Sequence, residues 1–114
     1  MKNLTCPVFR AARIAGSKRS LGIIQEIHLS KGSRFNTLKR TCRISPKVLS
    51  KKLRDMENEG ILKRTRKPGS KNSEYYLTER GTEFLKILDA LKEWTSYYEN
   101  LGCKTRRCTA CPLF

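Results

Sequence analysis

The stretch ISPKVLSKKLRDMENEGIL, from Ile44 to Leu62, decides the fold. Its Ser45-Pro46 pair signals the start of a helix, because serine caps free amide groups and proline suits the first helical position. One side of this helix carries an apolar stripe of Val48, Leu49, Leu53 and Met56, which ends before Gly60. The other side carries Lys47, Ser50, Lys51 and Arg54. The stretch therefore predicts an amphipathic helix with a basic outer face.

A second, shorter helix is predicted immediately before this one. Phe35, Leu38 and Cys42 recur at spacings of three and four, so this helix is expected to end near Thr41, before a turn at Arg43-Ile44. Two short helices around a tight turn, the second of them basic on its outer face, are typical of a helix-turn-helix.

Two helices are predicted ahead of this unit. Pro7 begins the first, which ends at Gly16. Ser17 caps the second, which runs to about residue 29 and ends at Lys31-Gly32. The single histidine, His28, lies near the apolar face of the second helix and is interpreted as a packed or cap-bonding side chain rather than a ligand.

After Gly60 the pattern changes to that of a hairpin followed by a long helix. The segments KRTRK (63–67) and EYYLT (74–78) are predicted to be strands joined by a PGSKNS loop. Thr78 then caps a helix that continues to Gly102. We expect a mostly α fold with a small β-hairpin wing, an α+β winged helix-turn-helix, over residues 1–101, followed by a cysteine-rich tail at residues 102–114.

The long helix carries an apolar stripe that needs a partner. Its candidate interface residues are Phe84, Leu88, Leu91, Trp94, Tyr98 and Leu101. A core role within one chain and a dimer interface both predict burial. Residues 72–101 carry a net charge of −3 in an otherwise basic protein, which favours a dimer surface away from nucleic acid.

The charge of the chain points to a polyanionic partner. The 114 residues, enough for about one domain, carry a net charge of +15, and residues 31–71 alone carry +11. Double-stranded DNA is the leading partner. The alternative is a basic RNA-binding or ribosome-associated protein without a regulatory role, which the charge alone would allow.

The positions of the basic residues suggest different roles at DNA. Lys47, Ser50, Lys51 and Arg54 are placed to reach base edges in the major groove, whereas Ser45 and the helix start suit phosphate. The wing residues expected at phosphate or in the minor groove are Arg66, Lys67 and Lys71. The candidate backbone clamps are Ser17, Lys18, Arg34 and Arg43.

The cysteines suggest metal or redox chemistry. Cys103, Cys108 and Cys111 supply three thiols at x4 and x2 spacing, close to a plant-type ferredoxin run. They suit part of a zinc site or an iron–sulfur cluster, with a fourth ligand from Cys6, Cys42, His28 or a partner subunit. Neighbouring arginines and a lysine favour the thiolate form, which suits a redox-sensitive thiol switch as well as it suits a metal site. The third alternative is a tail without function. Cys42, on an apolar helix face, is interpreted as a small buried hydrophobe.

Several classes of protein are not supported by the sequence. It has no glycine-rich phosphate loop, no HExxH and no serine elbow, so an enzyme is not expected. A small electron-transfer protein would not need the +11 segment. No apolar run approaches the roughly 18 to 20 residues of a membrane span, and a cytoplasmic location is expected.

Several motifs together resemble one family, the HxlR-type winged helix-turn-helix transcription regulators. The similarity covers residues 6–94. It rests on Cys6-Pro7, on Gly16-Ser17-Lys18, on RFNTL at 34–38, on the stretch from 44 to 62 and on YYLTERG at 75–81. The resemblance implies a homodimer in which the first and last helices pack across a twofold axis. The sequence departs from the family pattern at Arg19, where tryptophan is usual, and in its cysteine-rich tail.

Overall fold

Local capping signals set the boundaries of the secondary structure in the computed structural model, which describes residues 6–69, 72–99, 109 and 114, with the backbone alone at 98 and 99. The elements of this described part, in chain order, are α1 (Pro7–Ala15), α2 (Lys18–Ser30), β1 (Ser33–Arg34), α3 (Phe35–Cys42), α4 (Pro46–Asn58), β2 (Leu62–Arg66), β3 (Ser73–Leu77) and α5 (Glu79–Glu99). The predicted fold class, a mostly α winged helix-turn-helix with a small wing, is confirmed.

The predicted caps are present at the start of α2 and α4. The Ser17 hydroxyl accepts a hydrogen bond from the Ser20 amide at 3.2 Å, and the Ser45 hydroxyl accepts one from the Val48 amide at 3.3 Å. At the other ends, Lys31 and Arg43 adopt left-handed conformations, with φ of 56° and 51°. These residues end α2 and α3, so α3, the Arg43 turn and α4 form the helix-turn-helix.

The wing is part of a three-stranded antiparallel sheet in the order β1-β3-β2. β2 and β3 form the predicted hairpin, with Leu62 opposite Leu77 and Arg66 opposite Ser73. β1 was not predicted, because two residues are too short to show an alternating pattern. Its Ser33 pairs with Tyr75, which joins the start of α3 to the wing.

The core lies between α2, α3, α4 and the base of the sheet. Its fully buried large side chains are Ile23, Ile24, Ile27, Leu38, Leu49, Leu53, Met56 and Cys42. Two predictions about packing are wrong. Val48 is 45% exposed, because it lies one residue, and hence about 100°, around the helix from Leu49. His28 is exposed on the last turn of α2, so it is not a packed side chain, while its cap-bonding role stays a prediction.

The start of α5 is fastened to the end of α4. The Thr78 amide donates a hydrogen bond to the Ile61 carbonyl at 3.0 Å. The Thr78 hydroxyl caps α5 by accepting a hydrogen bond from the Gly81 amide at 3.0 Å. Arg80 Nε donates to the Glu59 carbonyl at 2.8 Å. Gly81 lies directly against the Ile61 carbonyl, so that a Cβ there would clash with it. The start of α5 and the end of α4 are therefore in direct, close contact.

The stripe of α5 divides into a core part and an exposed part. Phe84 and Leu88 belong to the hydrophobic core of the single chain, so their burial needs no second subunit. Leu91, Trp94 and Tyr97 are exposed, with Tyr97 at 82%. The Tyr98 side chain and Leu101 lie outside the described residues. No helix within the described ranges is long and apolar enough to cross a membrane.

Candidate nucleic-acid interface

The outer face of α4 is a basic surface opposite the buried stripe. All four side chains predicted to read bases, Lys47, Ser50, Lys51 and Arg54, are exposed. Lys51 Nζ lies 3.0 Å from Asp55 Oδ2, one turn further along the helix, so the positive charge of Lys51 is partly neutralised within α4. Arg54 is exposed and extends the surface toward the end of α4. The face that the sequence predicted is therefore open to a ligand.

Val48, which was predicted to be buried, belongs to this exposed face instead. Its exposed methyl groups share a shallow surface with Lys47 and Lys51. Apolar side chains at such positions contact the thymine methyl group in the major groove. The sequence did contain a signal for this exposure. Leu49, Leu53 and Met56 follow one another at spacings of four and three residues, whereas Val48 directly precedes Leu49 and so points to a different side of the helix.

An open groove separates α4 from the wing. It is lined by the start of α3, Ser50 of α4, and Arg64 and Tyr75 of the sheet. Arg34, a predicted backbone clamp, stands at this groove with Nε 3.6 Å from Glu74 Oε2. Arg64 is exposed in the same groove and was not among the predicted contacts. The arrangement brings two guanidinium groups beside the basic face of α4.

Glu74 is an acidic residue of β3, one position from the loop end of the wing hairpin. The Tyr76 hydroxyl donates a hydrogen bond to Glu74 Oε1 at 2.8 Å, and this bond, with Lys67 and Arg34 nearby, lowers the pKa of the Glu74 carboxyl. Glu74 therefore stays ionised and offsets part of the local positive charge. Beyond it, the wing residues Arg66 and Lys67 are exposed, while Lys71 lies outside the described residues.

The beginning of α2 is joined to α4 at the edge of the basic face. Lys52 Nζ donates to the Ser17 hydroxyl at 2.8 Å, so the predicted clamp Ser17 sits beside the recognition helix. Lys18 follows it and is exposed. Arg43, in the turn before Ser45, is also exposed. The structure thus joins Ser17 to the middle of α4 and places Arg43 shortly before its start, whereas Arg34 lies at the groove.

The two described cysteines have opposite environments. Cys6 is exposed at the start of α1. Cys42 is fully buried, and burial first, with the Glu26 carboxylate second, raises the pKa of its thiol to about 11. The interpretation of Cys42 as a buried hydrophobe is confirmed. Cys103, Cys108 and Cys111 lie outside the described residues, and within the described ones no three His, Cys, Asp or Glu side chains are grouped to hold a metal ion.

This contrast predicts selective thiol labelling. Because thiolate is the reactive form, the high pKa and burial of Cys42 should protect it from iodoacetamide at mildly alkaline pH, while Cys6 is alkylated. Mass spectrometry of tryptic peptides from native and unfolded protein measures this. Alkylation of Cys42 in the native protein at the rate of Cys6 would contradict the assignment.

A sequence family matches most of the chain. The family described as HxlR-like helix-turn-helix matches residues 14–102. The HTH-type transcriptional regulator YvaP of Bacillus subtilis, whose function is uncharacterised, is 32% identical over 93 residues, which cover 80% of this chain and 86% of YvaP.

Solved structures of similar regulators share the fold. The reduced form of the transcriptional regulator YodB from B. subtilis superposes with a TM-score of 0.70 at 26% identity, covering 88% of this chain and all of that one. The redoxregulator HypR in its reduced form gives a TM-score of 0.68 at 30% identity, covering 83% of this chain and 95% of that one. The likeness in each case extends over nearly the whole of the solved chain.

Proposed function

Since this chain belongs to the HxlR-like helix-turn-helix family and is a transcription regulator of helix-turn-helix type, we propose that it binds operator DNA as a homodimer. In this proposal α4 enters the major groove, the wing contacts the backbone, and cysteine chemistry changes the affinity for DNA.

The observation that carries DNA binding is the two-sided character of α4. Leu49, Leu53 and Met56 are buried, so α4 has one orientation relative to the core. The opposite side then presents its lysines and Arg54 to solvent together with the exposed Val48. Cationic donors beside an apolar contact suit the major groove, where guanine edges accept hydrogen bonds and thymine offers a methyl group. If the basic face of α4 were only a solvated surface, there would be no reason for basic residues of the wing and of the α2 start to lie beside it.

Replacing Arg54 with alanine tests the recognition helix. Loss of a base contact should weaken binding to an operator selected from a randomised duplex library by about 1 to 3 kcal/mol and relax selectivity at one position. Fluorescence anisotropy with matched and mismatched duplexes measures both. Lys92→Ala, which removes the same charge from an exposed position on α5, is the control and should leave selectivity unchanged.

The wing should behave differently from α4. Lys67→Ala is expected to weaken all duplex sequences alike and to flatten the salt dependence by about one unit in the log–log slope, because it removes one phosphate contact. Titrations at several salt concentrations provide the slope. Equal affinity of the parent protein for structured RNA, with no selected duplex operator, would favour the RNA-binding alternative.

Dimerisation is proposed through α1 and α5. Val8 and Phe9 of α1 are about two-thirds exposed, and Leu91 and Trp94 of α5 are exposed as well. Exposed apolar clusters of this kind mark interaction surfaces. A second copy of this chain would cover them and place two copies of α4 about one DNA turn apart.

A sensing role is proposed for the cysteines because both helices next to them are tied to α4. Cys6 precedes α1, whose Arg10 Nη2 lies 2.9 Å from Glu59 Oε1 at the end of α4. The cysteine-rich tail follows α5, whose Arg80 bonds the Glu59 carbonyl. A change at either set of thiols would act on α4 through Glu59. The structures of YodB and of the redoxregulator HypR are both described as reduced forms, which supports a redox role for cysteines on this fold.

Two chemistries are proposed for the tail. In a thiol switch, two thiols join as a disulfide, and their two protons and two electrons pass to an oxidant such as diamide. In metal binding, thiolates of Cys103, Cys108 and Cys111 hold zinc or an iron–sulfur cluster with a fourth ligand. Cys42 is poorly suited to be that ligand, because its thiol is buried and its pKa is raised.

A variant with all three tail cysteines changed to serine separates these chemistries. Metal analysis and a visible spectrum of protein purified without oxygen should show about one metal centre per chain, lost in the variant, if the tail is a ligand set. A thiol switch instead predicts metal-free parent protein whose DNA affinity changes with diamide and recovers with reductant. If parent and variant carry the same metal and bind DNA alike under both conditions, the tail has no sensing role.

A further inference from the structure

We propose that the cysteine-rich tail docks on α2 through Thr109 and Phe114, and that the docked tail competes with DNA for Lys18 and Arg43. The proposal rests on the DNA-binding role given above. It adds an intramolecular partner for the basic surface and makes the tail an inhibitor of DNA binding.

Phe114 is held by three cationic side chains. Its ring centroid lies 4.3 Å from the guanidinium carbon of Arg19, 5.5 Å from that of Arg43 and 5.8 Å from Lys18 Nζ. Arg19 Nη1 also donates to the Phe114 backbone oxygen at 2.7 Å. Only 9% of Phe114 remains exposed. Cations over an aromatic face are attracted to it, so these contacts favour the docked ring.

A glycine in the middle of α2 makes room for the ring. A Cβ at Gly22 would clash with Phe114 Cε1 and lie 2.6 Å from Cζ, so the edge of the ring occupies the space left by the missing side chain. Glycine in a helix interior is unfavourable compared with alanine. The contact with Phe114 gives this glycine a structural reason.

Thr109 provides a second point of attachment. Its hydroxyl donates to Glu26 Oε1 at 3.2 Å, and both residues are about 95% buried. Its carbonyl accepts from Arg43 Nη1 at 3.5 Å. A buried carboxylate needs hydrogen-bond donors, and Thr109 supplies one alongside the Ser30 hydroxyl at 3.1 Å. The tail is thus bound by a buried polar contact as well as by the ring.

The docking site overlaps with the predicted DNA clamps. Lys18 follows Ser17, which Lys52 joins to α4, and Arg43 lies two residues before the Ser45 cap. Lys18 and Arg43 remain exposed, but their cationic groups face the Phe114 ring, and Arg43 also bonds Thr109, so they must leave these contacts to reach a DNA phosphate. Thr109 directly follows Cys108, and Phe114 comes three residues after Cys111. Oxidation or metal binding at these cysteines would therefore change the segment whose Thr109 and Phe114 contact the clamps.

Two variants remove the contact from opposite sides without changing net charge. Phe114→Ala removes the ring, and Gly22→Ala fills its space while favouring α2. If the tail is docked in about four-fifths of molecules, its release raises affinity for a labelled mixed-sequence duplex about fivefold. The salt dependence should stay close to that of the parent, because the same clamps reach DNA in both complexes once the tail has left. His28→Ala, at an exposed position of the same helix, is the control and should match the parent.

The double variant distinguishes docking from unrelated effects of each change. Because both substitutions release the same contact, their combination should bind DNA no more tightly than either alone. Affinity in both single variants equal to or weaker than that of the parent overturns the proposal. Thermal unfolding verifies that both variants are folded. If the parent itself binds no duplex DNA, the DNA-binding function fails instead, which is a separate outcome.

Discussion

Replacing Leu91 with glutamate is expected to turn the proposed dimer into a monomer and to lower operator affinity about 100-fold or more. Leu91 is 47% exposed in the single chain, so the substitution leaves the core of each subunit intact. In a dimer the same position would bury a carboxylate among apolar side chains, which is costly without a partner. A monomer would bind one half-site at a time and would lose the higher affinity that comes from linking two DNA-binding units.

Sedimentation at micromolar concentration and operator titration together measure this effect. Lys92→Ala is the matched control, because it lowers the charge by the same single unit at the adjacent, exposed position of α5. Leu91→Glu protein that remains dimeric, with full operator affinity, would remove this part of α5 from the interface. Circular dichroism should show the same helix content in parent and variant.

Gly81→Ala is expected to lower the free energy of unfolding by about 2 to 3 kcal/mol, as overpacking does in a tight site. Helix propensity alone predicts the opposite sign, a gain of up to about 1 kcal/mol for alanine over glycine. The difference arises because the new methyl group would meet the backbone carbonyl of Ile61, which cannot rotate away as a side chain can. Relief of this clash would have to separate α5 from the end of α4.

Urea unfolding followed by circular dichroism gives the sign directly. Gly22→Ala is an informative comparison, since the atoms nearest to its new methyl group belong to the Phe114 ring, a side chain that can leave. We expect Gly22→Ala to retain the stability of the parent while Gly81→Ala loses it. Increased stability of Gly81→Ala would show that the Thr78 to Gly81 junction is not tightly packed.

The helix-turn-helix could be predicted from sequence because its signals are local. Ser17 and Ser45 cap the amides of the next turn, and Pro46 tolerates the first helical position, so these helix starts depend on a few neighbouring residues. The basic face of α4 follows from the spacing of Leu49, Leu53 and Met56. The same reasoning wrongly placed Val48 in the core. A list of apolar residues shows which side of a helix is buried, but it does not show how wide the buried sector is.

Amino-acid order by itself therefore determined the helices, the hairpin, the concentration of positive charge in residues 31–71 and the thiol spacing of the tail. Tertiary structure decided which parts meet: the pairing of Ser33 with Tyr75, the division of the α5 stripe at Leu88, and the approach of Phe114 to Gly22. The physical reason is distance along the chain. Capping and periodicity act over three or four residues, whereas Phe114 and Gly22 meet only after the core has placed α2 beside the tail.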